Sequence, residues 1–322
     1  MKERRYDIDW LRVIAMFIVF IFHCTRFFCT QTWHLKVPAA EQSEILPIVR
    51  DMLVGVWQME LFFLVAGFAT WYSLAHRTAG QYLLERAKRL LIPLYTVGLF
   101  ILVVPQICFD GITNGYLTGS LWPLLPQYYL NLPRDLLASW RPWIDPSALL
   151  PYGFSGHLWF IRTLFVVSLA ALPVLLWLRS ERGARFIDRF AGQMARPGGV
   201  FLFLIPLAVV QIALRWIPGG PERGWADFLW YGLFFIFGYL LAADSRFSAA
   251  IGRRLWIWLV LWIGVYLVGG GVLQFVFHYE PSPGQGFSLL FVVLAIVWSV
   301  IIAGWFVLPL PIGNWARFLV IA

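Results

Sequence analysis

The chain has 322 residues, of which 60% are hydrophobic and only 13% charged, and its mean hydropathy is +0.74. That balance excludes an ordinary soluble domain, in which about a quarter of residues are charged. The formal net charge of +8 comes with no RNA- or DNA-binding motif, so no nucleic-acid partner is expected.

Repeated apolar runs of about 20 residues point to an all-α, polytopic transmembrane helical bundle. The first helix is predicted from about Trp10 to Cys29, with Asp7 or Asp9 able to cap its start. The basic residues ahead of it imitate a signal peptide. No small-residue cleavage site follows, and the run is long enough to span, so a retained first helix is expected. Within it, ten apolar residues separate Arg12 from His23. At ~1.5 Å per residue the two lie roughly 16 Å apart along the axis, which puts Arg12 at a membrane surface and His23 inside the hydrocarbon. An ionisable group at that depth is a functional hypothesis, because burying it is expensive. The plainer alternative is a core histidine bonded to a backbone carbonyl.

A polar stretch, Thr30 to Arg50, leads to a second helix from about Met52 to Leu74. A short basic loop carrying Arg77, Arg86, Lys88 and Arg89 precedes a third helix, about Leu90 to Phe109. Residues 110–155 form a long, proline-rich connection, expected to be a folded or membrane-skimming extracytoplasmic loop. The fourth helix runs from about Gly156 to Leu178, and a basic loop, Arg179 to Arg196, follows. Helices five and six are expected over about Gly199 to Ile217 and Trp225 to Ala243. Helix seven, about Leu255 to Phe277, contains Gly269-Gly270-Gly271, which suits close helix packing. Helix eight covers about Phe287 to Leu308, and Pro311 to Ala322 reads as the start of a ninth. The expectation is one integral membrane domain over 1–322, with about eight complete helices and truncated at its C-terminus.

Alternation from a cytoplasmic N-terminus places most of the 25 Lys and Arg on the inner side. Arg26, Lys36, Arg50, Arg134, Arg141, Arg215 and Arg223 fall outside. That asymmetry obeys the positive-inside rule and accounts for most of the net charge. The cysteines, Cys24, Cys29 and Cys108, lack metal spacing and read as buried thiols; a Cys29–Cys108 disulfide is left open.

Several residues can carry chemistry. Glu60 lies at about the depth of His23, each roughly 20 Å above the inner end of its helix. A carboxylate there can fix the tautomer of a histidine and raise its basicity; the alternative is a neutral packing residue. Arg86-Ala-Lys-Arg89 opens the third helix at the cytoplasmic side; the spacing of three puts both guanidiniums on one helix face, and with Arg12 they can bind a polyanion. Ordinary positive-inside charge explains them as well. Asp9 and Arg12 read as a helix-start pair. His157, Trp159 and Arg162 open the fourth helix and can face a substrate. Arg162 is more than a turn into the apolar run, so it needs a partner or a water-filled cavity, unless it snorkels. His34, His76 and His278 are assigned no chemistry. No phosphate loop, nucleophile elbow or metal-ligand cluster is present, so no metal and no permanently bound cofactor are expected.

These residues, taken together, resemble the membrane-bound acyltransferase 3 family. Asp9-Trp-Leu-Arg12, ten residues and His23 look like its first-helix signature. Glu60-Leu-Phe-Phe-Leu-Val-Ala-Gly67-Phe is similar to its second helix. Arg86-x-x-Arg89 followed by Leu-Leu-Ile-Pro93 resembles its Arg-x-x-Arg motif, and His157-Leu-Trp-Phe160 resembles the opening of its fourth helix. Thr32-Trp-His34, Trp57 to Gly67 and Gly156 to Phe160 look most similar to a branch that succinylates periplasmic glucans. The resemblance implies transfer of an acetyl or succinyl group from cytosolic acyl-CoA to a hydroxyl of an extracytoplasmic saccharide, by an enzyme of the inner (plasma) membrane. His23 would activate the hydroxyl or handle the acyl group, while Arg12, Arg86 and Arg89 would hold the CoA phosphates. Partners would be acyl-CoA, the saccharide and the lipid bilayer. Glu60 is not carried over from the family and rests on depth alone. The competing class is a secondary transporter or exporter with midplane ionisable residues, disfavoured because the two halves do not correspond.

Overall fold

The computed structural model describes residues 6–30, 36–50, 58–113, 158–214 and 224–252, with 122, 126, 129, 130, 133, 134 and 217. Among these the regular structure is helical, and the one bridge outside helices joins Cys29 to Ser43. The expected seventh, eighth and ninth helices, Gly269 to Gly271, most of residues 110–155 and His157 lie outside the described residues.

Helix α1 spans Tyr6–Arg26. The segment after it folds back: the Val37 N–H donates to the Phe27 carbonyl at 3.1 Å and the Ser43 N–H to the Phe28 carbonyl at 2.8 Å. A short helix, α2 (Ile45–Arg50), follows. Helix α3 covers Gln58–Ala75.

The basic loop expected next is helix instead. Helix α4 runs Ala79–Pro93, so Arg86, Lys88 and Arg89 all lie on it. The reason is a capping box. The Thr78 hydroxyl accepts from the Gln81 N–H at 3.3 Å, and the Gln81 carboxamide accepts from the Thr78 N–H at 3.0 Å, which satisfies two otherwise orphaned donors. Pro93 lacks an N–H and disturbs the ladder. The chain does not break there but rewinds as a π-helix, Leu94–Leu102, before α5, Val103–Thr113. Such segments displace carbonyls from regular bonding, and the Tyr129 hydroxyl, from the long connection, donates to that of Phe100 at 3.0 Å.

Helix α6 covers Trp159–Leu178, within three residues of expectation. The second expected basic loop is also a helix, α7 (Glu181–Met194). The Ser180 hydroxyl caps it by accepting the Gly183 N–H at 3.2 Å. Gly183, Ile187, Ala191 and Met194 are buried at spacings of four, four and three, the period of an amphipathic helix. A 3₁₀ turn, Gly199–Phe203, leads to α8 (Leu204–Leu214). Helix α9 is Trp225–Ala243, the sixth helix as expected, and α10 is Ser245–Gly252.

The most extensive packing pairs α3 with α9; α6 and α8 also pack on α9, and α1 on α3. A Cβ added at Gly67 would collide with the Phe235 backbone, and one at Gly238 with the Leu64 backbone. The two glycines therefore let the backbones cross in contact, as small residues do in membrane helix pairs. Around this crossing, Phe63 stacks on Tyr231 at 4.6 Å and Trp71 meets Tyr239 edge-on at 5.0 Å.

Beside its apolar core, the bundle buries polar groups and exposes large apolar ones. Arg162, Thr163 and Ser168 on α6, Thr70 on α3 and Gln211 on α8 are buried, whereas Phe17, Phe20, Ile101, Ile205 and Val209 are exposed. Water would penalise so extended an apolar surface; lipid does not. Helices α6 and α9 are each long and apolar enough to cross a membrane.

Candidate active site

His23 lies in the last turn of α1, half-buried. Its ring stands edge-on to Phe22, with centroids 5.5 Å apart. Phe22 also carries two guanidiniums: Arg50 at 5.1 Å and Arg26 at 5.7 Å from its centroid. Each is within range of cation–π attraction. Arg50 is only 4% exposed, and its Nη1 donates to Cys29 Sγ at 3.4 Å. The Cys29 thiol in turn donates to the Thr25 carbonyl at 3.2 Å, and the Thr25 hydroxyl to the Phe22 carbonyl at 2.8 Å. The folded-back segment thus straps a cation-rich cap over the histidine end of α1. Cations are favoured there by the helix dipole as well. Sequence reasoning had assigned Arg26 and Arg50 only to outer loop charge. No local pattern links Arg50 to Cys29, 21 residues away. All three cysteines are free thiols, Cys29 fully buried and the others half-buried.

Glu60 sits in the first turn of α3. Its Oε1 accepts the indole N–H of Trp230, on α9, at 3.0 Å. Trp230 is buried, so the carboxylate is anchored to the bundle's central helix pair. Sequence reasoning missed this partner, which is 170 residues away.

Trp159 and Arg162 begin α6. The Trp159 ring lies 5.6 Å from Tyr231 and 6.4 Å from Phe160, and Phe160 meets Phe63 at 5.1 Å. Arg162 is 3% exposed, so it points into the bundle and the snorkelling alternative fails.

Arg12 is half-buried on α1, eleven residues before His23. Arg86 and Arg89 share α4 but have diverged in what they touch. Arg86 reaches into α3: its Nη2 donates to the Thr70 hydroxyl at 2.7 Å and the Ala66 carbonyl at 3.2 Å, and its Nε to the Tyr82 hydroxyl at 3.2 Å. Arg89 is 74% exposed and pairs with Glu85 at 2.5 Å, which also pairs with Arg77. Arg86 therefore ties α4 to α3, and Arg89 is the outward-facing cation.

A cleft of about 340 Å³ opens at this same end, lined by Trp71, Arg179, Asp188, Asp244 and Arg246 among others. Its charges are already matched. Arg246 contacts Asp244 and Asp188, each at 2.7 Å, and Arg179 donates to the Leu74 carbonyl. Hydrogen bonds from Arg246 hold the Asp244 carboxyl below its usual range, against opposing desolvation. A balanced cleft of this kind staples α7 to α9 and α10 rather than attracting a polyphosphate. Among the described residues, no group of three His, Cys, Asp or Glu is placed to hold a metal.

The model of the acyltransferase domain of the acyltransferase 3 family matches residues 5–321. The chain is similar to the glucans biosynthesis protein C of Escherichia coli strain SMS-3-5 / SECEC, with 26% identity over 247 residues, covering 74% of this chain and 58% of that protein. The same-named protein of Escherichia coli strain K12 is 25% identical over the same shares. The chain thus spans less than two thirds of the length of these relatives. No solved structure matches. With the match running over nearly its whole length, the chain belongs to the acyltransferase 3 family.

Proposed function

We propose that this protein is a membrane-embedded O-acyltransferase, moving an acetyl or succinyl group from cytosolic acyl-CoA to a hydroxyl of an extracytoplasmic saccharide, with glucan as the leading acceptor. The observation that carries this reading is His23, an ionisable ring half-buried at the end of a ten-residue apolar run in α1, next to the Phe22 ring that Arg26 and Arg50 cover. Family membership supplies the reaction class, and the names of the glucan relatives supply the acceptor.

In this reading the neutral imidazole of His23 takes the proton of the acceptor hydroxyl as its oxygen attacks the thioester carbonyl. The carbon–sulfur bond breaks, and the CoA thiolate leaves with the proton returned by the imidazolium. Glu60, held by Trp230, supports the positive charge that develops on the ring. Arg12 and Arg89 attract the CoA phosphates, and Arg86 fixes the helix that presents Arg89. His157, Trp159 and Arg162 receive the saccharide, an aromatic face suiting sugar C–H surfaces. The N-terminus is cytoplasmic, and the chain is a multi-pass protein of the inner membrane.

The test uses purified chain in nanodiscs with acetyl-CoA or succinyl-CoA and a pool of oligosaccharides, following thiol release and acyl-sugar by mass spectrometry. Release and acyl-sugar that both vanish in His23→Ala support the assignment. Acyl-sugar formed at an undiminished rate by the folded His23→Ala variant would overturn it.

A further inference from the structure

We propose that the outward face of α7 is a binding site for the headgroup of an anionic phospholipid. This inference is independent of the acyl-transfer reading.

The inner face of α7 is fully committed to the protein. Ile187, Ala191 and Met194 are buried, and Phe190 packs on Phe203 at 5.6 Å and Phe247 at 5.5 Å. The helix therefore does not embed its apolar stripe in lipid, as a free interfacial helix would. Its other face carries Arg182, Arg185 and Arg189, all exposed. Positions i, i+3 and i+7 fall on one stripe. These three form no ion pair among the described residues, and neither does the exposed Arg196 just beyond the helix, whereas five other arginines at this end are tied. Arg77 and Arg89 hold Glu85, Arg86 holds Thr70, Arg179 holds the Leu74 carbonyl, and Arg246 holds Asp188 and Asp244. Two exposed acids lie on α7: Glu181, at its first position, and Asp188, whose carboxylate is engaged by Arg246.

A second observation says which anion fits. Phe186 lies within the arginine stripe, 44% exposed, and packs against Trp177 of α6 at 5.5 Å. Trp177 is itself 46% exposed, and Leu176 and Leu169 continue an exposed apolar row along α6. Guanidinium groups at the membrane boundary thus stand at the head of a strip running down a membrane-crossing helix. A phosphodiester bound to them would lay its acyl chains on that strip. A free phosphate would use the arginines and leave the strip unused. Arginine matches phosphate oxygens bidentately, and basic groups at an anionic membrane surface each add measurably to binding.

The experiment titrates the full chain, in a neutral detergent, with phosphatidylglycerol and separately with phosphatidylcholine, counting bound lipids by native mass spectrometry. Tight binding of phosphatidylglycerol and weak binding of phosphatidylcholine are expected. R182Q/R185Q/R189Q should weaken phosphatidylglycerol binding roughly a hundred-fold, and R185Q alone about five-fold. The triple Lys variant, which keeps the charge, should retain most of the affinity and controls for a folding defect. sn-Glycerol 3-phosphate, a headgroup without chains, should not displace the lipid. Undiminished binding by the triple Gln variant, equal binding of phosphatidylcholine, or displacement by glycerol phosphate would each overturn the proposal.

Discussion

Helices α3 and α9 meet backbone to backbone through Gly67 and Gly238, lined by stacked aromatics. Helix α1 meets its neighbours at the His23 end through half-buried rings, a thiol and two guanidiniums. The first contact fixes a distance, because no side chain is available to yield. The second gathers two guanidiniums around a ring that packs on His23, through side chains rather than backbone. Glu60 belongs to the first of these regions: it stands in the first turn of α3 and accepts the indole N–H of Trp230 on α9.

The contrast breaks most severely at the crossing. Gly67→Leu drives a side chain into the Phe235 backbone and should cost about 4 kcal/mol or more, read as loss of a cooperative thermal transition in detergent. His23→Ala should leave that transition within a few degrees of the parent, yet lower acyl transfer by roughly 10²- to 10⁴-fold. A His23→Ala chain that unfolds would make the histidine structural instead.

Arg50→Met tests the cap. It removes the guanidinium over Phe22 and the donor to Cys29, and should cost about 1–3 kcal/mol in stability. Faster alkylation of Cys29 by a small maleimide would report the opened strap. Trp230→Phe keeps an aromatic side chain but shrinks it and deletes the N–H to Glu60. A loss of about 1–3 kcal/mol is expected, with the pH profile of thiol release displaced. An unmoved profile would separate Glu60 from the chemistry.

The smallest effect lies in the charge-matched cleft. The Asp244 carboxyl is lowered by hydrogen bonds from Arg246, so its contribution is present above the unfolded-state value, about pH 4. It is lost as pH falls through the lower folded-state value. Asp244→Asn should flatten the acid limb of a stability–pH curve by modestly lowering stability at neutral pH, while leaving the low-pH end unchanged.

The spanning helices were plain in the sequence because hydrocarbon thickness imposes a long apolar run; α9 was delimited to the residue and α6 to within three. Helices α4 and α7 were mistaken for loops because their arginines dominate the local composition. The Thr78–Gln81 box and the Ser180 cap were available signals, as was the spacing of Ile187, Ala191 and Met194. Reading Arg86 and Arg89 as one face was geometrically sound, yet it did not say that Arg86 turns to Thr70 while Arg89 faces outward.

The sequence by itself determined the helical class, the chain-order placement of most described helices, and the identity of the ionisable residues an apolar environment must accommodate. Those follow from local composition and period, which act over one helix at a time. Only the tertiary structure decided that Arg162 points inward, that Glu60 is held by Trp230, that Arg50 caps the His23 end, and that three arginines of α7 remain outward. Each depends on which helices pack together, and packing joins residues whose separation along the chain carries no periodic signal.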